Sequence, residues 1–156
     1  MKIMITGCHG QLGNELQSII ASGKSEIGAI PEAVVGAQVF PVDIDTLDIT
    51  DMSAVSDFVS QNKPDVIINC AAMTNVDGCE SDYKTAFKVN ALGVKNLAVC
   101  AENIGAKFIH VSTDYVFAGN GTKPYCEWDK TDPQSVYGAS KALGEKYALA
   151  FCKKSF

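Results

Sequence analysis

Residues 2–6, Lys-Ile-Met-Ile-Thr, run directly into Gly7-Cys8-His9-Gly10-Gln11-Leu12-Gly13, and behind that loop Leu12, Leu16, Ile19 and Ile20 recur at helical spacing. This strand, glycine loop and helix succession constrains the chain more than any other feature. A strand without polar alternation must be covered on both faces, and helices carried by crossover connections supply that cover. A first strand is expected over Lys2–Thr6 and a first helix over Gln11–Ala21.

The same alternation continues along the chain. Gly23–Ala37 is a long, weakly patterned connection, and Val39–Val42 reads as a second strand. A helix is expected from Asp51 to Asn62, with Val55, Phe58 and Val59 on one face. Val66–Asn69 is a third, unalternated strand, followed by a long helix over Tyr83–Ile104 and a strand over Phe108–Ser112. An irregular stretch rich in Gly, Pro and Asp leads to a last helix over Tyr137–Phe151. Such alternation implies an α/β fold with a doubly wound parallel sheet, a Rossmann fold. Ligands bind such sheets at the carboxyl ends of the strands. Functional residues are therefore expected just after Thr6, Val42, Asn69 and Val111.

Composition excludes several function classes. The chain has 156 residues, 47% of them hydrophobic, with a net charge of −5, which describes a single packed domain rather than a disordered chain. No apolar run is long enough for a membrane span. All 13 basic residues are lysines. Without arginine or a basic cluster, nucleic-acid binding loses its main driving force, phosphate neutralisation, so no nucleic acid or membrane partner is expected. The six cysteines are dispersed, no Cys-x-x-Cys occurs, and only His9 and His110 are available beside them. That spacing fits neither a zinc site nor a disulfide framework, so no metal is expected and the thiols read as free in a reducing cytoplasm. Cys70 and Cys79 read as small buried residues.

In the loop, Gly7 and Gly10 permit a tight turn and close approach of a pyrophosphate, while the helix beginning at Gln11 and Leu12 offers amide groups and a positive dipole end. The flanking strand and helix are the context that makes this a dinucleotide site. The acidic partner for the adenosine ribose is Asp43 at the end of the second strand, farther along than the ~20 residues usual in such units. Asp45 and Asp48 compete for that role, as does a plain solvated acidic loop. A carboxylate there accepts from ribose hydroxyls and repels a 2′-phosphate, so the cofactor is expected to be NADH or NADPH, with NADH favoured.

Tyr137-Gly138-Ala139-Ser140-Lys141 places Tyr137 and Lys141 on one helical face. A lysine ammonium beside a phenol favours the phenolate and equips the tyrosine to deliver a proton to a developing alkoxide. Thr113, in Ser112-Thr113-Asp114 directly after a strand, is placed to hold a substrate carbonyl beside Tyr137.

These features together resemble the extended short-chain dehydrogenase/reductases. Gly10-Gln11-Leu12-Gly13, the Cys70–Asp77 run with Cys79-Glu80, Ser112–Phe117, and Pro124-Tyr125 through Tyr137-Gly138, Ser140-Lys141 and Gly144-Glu145 resemble the dTDP-4-dehydrorhamnose reductase family more narrowly. The resemblance implies hydride transfer to the C4 ketone of dTDP-4-dehydro-6-deoxy-L-mannose. Thr113, Tyr137 and Lys141 would be catalytic, Lys141 also holding the nicotinamide ribose. Ala71, Ala72 and Thr74 would line the cofactor cleft, Asp48 and Ile49 would flank the adenine, and Asn90 would steady the site. Val76, Asp77 and Asp114 would approach the dTDP-sugar substrate.

Members of that family run to nearly twice this length. The chain is therefore expected to be a cofactor-binding portion, residues 1–156, truncated before the sixth strand, without the C-terminal sugar-nucleotide-binding part. Weak or no turnover is expected of it alone, and a bare parallel edge strand invites self-association into a homo-oligomer. Two other readings share the motifs. Sugar-nucleotide dehydratases and epimerases resemble the chain, but a dehydratase places Asp-Glu after the threonine where this chain has Asp114-Tyr115. The regulatory subunit of methionine adenosyltransferase resembles the same family without being a catalyst.

Overall fold

A computed structural model describes residues 1–156 as four parallel strands flanked by helices. The strands are β1 (Lys2–Thr6), β2 (Gln38–Val42), β3 (Val66–Asn69) and β4 (Lys107–His110), in the order β2-β1-β3-β4. β1 is central, pairing Lys2 with Gln38 on one side and Ile3 with Val66 on the other. Alternation along β1 divides the core. Met4 joins Ile67 and Phe108 in the larger cluster, under Val55 and Val59 and under Val94, Leu97 and Ala101. Ile3 and Ile5 face the opposite way, onto Ile20, in a thinner layer completed by Leu16, Val34 and Ala37.

α1 (Gln11–Ser22) and α2 (Met52–Asn62) lie where the apolar spacing put them. Asp51 caps α2 by accepting from the amides of Ser53 and Ala54. The last helix, Val136–Phe151, also matches, and Ser135 caps it through the Gly138 amide.

The segment expected as one helix over Tyr83–Ile104 is built differently. Two short helices, α3 (Val76–Ser81) and α4 (Tyr83–Phe87), lead into a π-helical turn over Lys88–Gly93, and only then comes α5 (Val94–Ile104). The wide turn has two visible consequences. It carries Asn90 into the interior, and it opens a place at Gly93 where Ile49 packs so closely that an added Cβ would lie 2.7 Å from the Ile49 side chain. The Val136–Phe151 helix is then α6.

The edge beyond β4, for which the sequence predicts a bare strand, is covered instead. Lys154–Phe156 run parallel to it: Phe108 N donates to Lys154 O (3.0 Å), Phe156 N to Phe108 O (2.8 Å) and His110 N to Phe156 O (2.9 Å). The sheet has four strands, so these residues occupy its fifth position, one place earlier than the strand count implied by the resemblance. No helix is long and apolar enough to cross a membrane, and all six cysteines are free thiols.

Candidate functional site

A cleft of about 610 Å³ opens at the carboxyl ends of the strands. Its walls come from the segments after β1, β2, β3 and β4 and from one face of α6, the four places the strand-end rule singled out.

The first wall is the glycine loop. Gly7 has φ +65°, and a Cβ there would lie 2.7 Å from Ala71 N, so the β1 and β3 exits approach each other only because this residue has no side chain. No side chain caps α1, and Asn14 is its first amide bonded back, to Gly10 O (2.9 Å). The amides of Gln11, Leu12 and Gly13 are thus left to the cleft, where they suit an anion. Across from them stands Asp43. Burial raises its carboxyl, but the amides of His9 (2.9 Å) and Ile44 (2.9 Å) donate to it and hold it below the ordinary carboxylate range. Asp48 is likewise held low, by the hydroxyl and amide of Thr50.

The opposite wall is α6. Lys141 is 2% exposed, and its Nζ donates to Val111 O at 2.5 Å. Burial lowers its ammonium to about 8, against the charges of Glu145 and Cys70, which raise it. Four residues on, Glu145 accepts from the Ser112 hydroxyl. Two α6 side chains one turn apart therefore clamp the end of β4, one donating to Val111 and one accepting from Ser112. The Tyr137 ring meets Tyr115 edge-on, with centroids 5.7 Å apart.

Between the walls runs a buried polar chain. Thr6 Oγ1 donates to Asn69 Oδ1 (2.5 Å), which fixes the amide so that Asn69 Nδ2 donates to His110 Nδ1 (3.0 Å). The His110 proton then sits on Nε2, which has no partner and faces Gly144. Burial and the Lys141 charge lower His110 to about 3, so the ring is neutral at ordinary pH. Asn90, fully buried, accepts from Met73 N (2.8 Å) and donates to Met73 O (3.0 Å) and Ser140 Oγ (3.0 Å), tying the segment after β3 to α6.

Most of the residues singled out in the sequence line this cleft: Gly7, Gly10, Gln11, Leu12, Asp43, Asp48, Ile49, Ala71, Ala72, Thr74, Tyr137 and Lys141. Asn90 stands behind it. Val76 and Asp77 lie in the first turn of α3, outside the lining. Thr113 and Asp114 are outside it too, because the Thr113 hydroxyl accepts from Tyr115 N (3.2 Å) and caps a short 3-10 turn. Ser112 faces the cleft in their place. Sequence reasoning also missed Met73, Val89, Ile44 and Leu47 in the lining. Adjacency to a strand end was the available signal for Ser112 and Met73.

This arrangement is shared with known proteins. The family model for the RmlD substrate binding domain matches residues 1–156. The chain belongs to that family. The dTDP-4-dehydrorhamnose reductase of Burkholderia thailandensis is 43% identical over 145 residues, 93% of this chain and 44% of that protein. The crystal structure of a dTDP-4-dehydrorhamnose reductase from Clostridium acetobutylicum superposes with a TM-score of 0.88 at 44% identity, covering 99% of this chain and 51% of the other. The enzyme from Bacillus anthracis, solved in complex with NADP, also gives a TM-score of 0.88, at 37% identity over 99% of this chain and 51% of that one. The chain spans about half the length of the curated relatives it matches.

Proposed function

We propose that residues 1–156 form the nicotinamide-dinucleotide half-site of a dTDP-4-dehydrorhamnose reductase, which in complete form converts dTDP-4-dehydro-6-deoxy-L-mannose to dTDP-L-rhamnose. One observation carries this reading. A single cleft holds the free amides of an uncapped helix at one end and, at the other, Tyr137 with a buried, charged Lys141. Relatives named as this reductase, one of them solved with NADP, support it.

A reduced nicotinamide cofactor supplies the hydride when bound. The Gln11, Leu12 and Gly13 amides receive the pyrophosphate, Asp43 accepts from the adenosine ribose, and Asp48 and Ile49 flank the adenine. Of the three donors on Lys141 Nζ, one is held by Val111 O, leaving two for the nicotinamide ribose. Tyr137 protonates the forming oxyanion, while Thr113 at the open lip beside Ser112 orients the carbonyl. Val76, Asp77 and Asp114 lie on the sugar side, and Asn90 fixes the Met73 backbone. The Asp43 carboxylate, with no arginine to offset it, makes NADH the better ligand.

Titration with NADH and NADPH, followed by nicotinamide fluorescence, tests the proposal. Saturable binding, tighter for NADH and abolished by Gly10→Asp, is the expected result. A folded chain that binds neither nucleotide would overturn it.

A further inference from the structure

Cys8 and His9 occupy the glycine loop at positions where pyrophosphate binding asks nothing of the side chain, and the dinucleotide reading leaves both unexplained. The fold brings them to Asp43. Cys8 Sγ, a ring nitrogen of His9 and a carboxylate oxygen of Asp43 all lie within 4.8 Å of one another, with His9 Nδ1 3.8 Å from Asp43 Oδ2. We propose that Cys8, His9 and Asp43 form a binding site for a borderline-soft divalent cation, Zn2+ in the first place, at the rim of the cleft.

The geometry suits tetrahedral coordination. With ligand atoms about 2.0–2.3 Å from the metal, neighbouring ligands stand roughly 3.5 Å apart. The histidine and aspartate are already near that separation, and since no two ligand atoms are more than 4.8 Å apart, closing the set needs a movement of about 1.3 Å at most. Two ligands are held in place and one is free to adjust. Cys8 is buried, with its amide donating to Val42 O (3.2 Å), and Asp43 is fixed by two backbone amides. The His9 side chain is 67% exposed and free to turn onto a metal. Three protein ligands leave a fourth position for water.

The donor set points the same way. On binding a dication the Cys8 thiol releases its proton to solvent and coordinates as thiolate. The nitrogen, sulfur and carboxylate donors select zinc over magnesium or calcium. The two histidines and the cysteine spacing could not announce this site, because its third ligand arrives from the next strand.

Asp43 cannot serve both a metal and a ribose, so metal and dinucleotide exclude each other. This exclusion rests on the proposed function; the metal site itself does not.

The test uses the reduced chain with Cys126, the exposed thiol, replaced by serine throughout. Zn2+ is titrated in competition with a chromophoric chelator, and Co2+ in parallel for its sulfur-to-metal charge-transfer band. One equivalent should bind, with the cobalt band present. Loss of even an outer-shell partner of a metal ligand costs about 10–100-fold in affinity, so Cys8→Ser and His9→Gln should each weaken binding by roughly tenfold or more. His9→Gln alters an exposed side chain and keeps the comparison sound should Cys8→Ser fail to fold. Failure to retain an equivalent, or equal affinity in wild type and His9→Gln, would refute the site. NADH should lower the apparent zinc affinity. If NADH binds without doing so, the metal is not on Asp43; if NADH does not bind while zinc does, the reductase reading fails and the metal site stands.

Discussion

Lys141→Met should make the chain more stable near neutral pH, even though it removes a residue central to the proposed chemistry. Burial holds the Lys141 ammonium at about 8 where an unperturbed lysine titrates at 10.5. That difference corresponds to roughly 3 kcal/mol of folding free energy lost to keeping the charge inside. Against this, methionine leaves Val111 O without its donor, a loss of about 1 kcal/mol. The net gain expected at pH 7 is about 2 kcal/mol. The pH dependence has a definite sign. Because the folded-state value lies below the unfolded one, the unfolded chain binds more protons between about pH 8 and 10.5, and this group's penalty shrinks as pH rises through that window. By pH 9.5 roughly 2 kcal/mol of the penalty is gone, so the two proteins should converge. Urea unfolding of both at pH 7.0 and 9.5, under reducing conditions, measures the difference; the thiols remote from Lys141 cancel because both chains contain them, and Cys70, which the Lys141 charge acts on, is replaced by alanine in both. A methionine variant less stable than wild type by the same amount at both pH values would show that the buried charge is not under strain.

Other substitutions probe the remaining walls. An added Cβ at Gly13 would fall on the Gly7 carbonyl oxygen and lie 2.8 Å from Cys8 Cα; Gly13→Ala should cost about 1–3 kcal/mol in urea unfolding and abolish the saturable change in NADH fluorescence. Asn90→Ala removes the partners of Met73 N, Met73 O and Ser140 Oγ, for a loss of about 3 kcal/mol, seen as a drop in Tm of about 6–12 °C. Glu145→Gln removes the carboxylate that opposes burial at Lys141, so the pH at which NADH affinity declines should move from about 8 towards neutrality in a fluorescence titration.

Strand positions and the cleft's location were readable because both follow from apolar runs and chain punctuation. Val66–Asn69 matched to the residue, and the helix expected from Asp51 begins one residue later, at Met52, with Asp51 as its cap. The break between Tyr83 and Ile104 was not readable. Hydrophobic spacing reports a helix's buried face, and a π turn leaves that face nearly in phase while inserting one residue. What demands the turn here is tertiary: Asn90 must reach Met73, and Ile49 must pack on Gly93. The position of Thr113 outside the cleft lining was unreadable for a related reason. Its hydroxyl is used locally to cap the 3-10 turn, and a strand-end pattern cannot tell which of two adjacent hydroxyls turns inward. The Cys8, His9 and Asp43 cluster was hidden because its members belong to different strand exits.

The central place of β1 also bears on how quickly the molecule can be assembled. Its ladder partners, Gln38 and Val66 onward, are remote in the chain, and β3 in turn pairs with Lys107 onward. Such high contact order makes for slow folding, since loops must close before strand pairing is rewarded. No wall of the cleft is preformed locally, because the glycine loop acquires its neighbour Ala71 only when β3 docks. A ligand that needs two of these walls binds the native state alone, so it retards unfolding without accelerating the search for the fold.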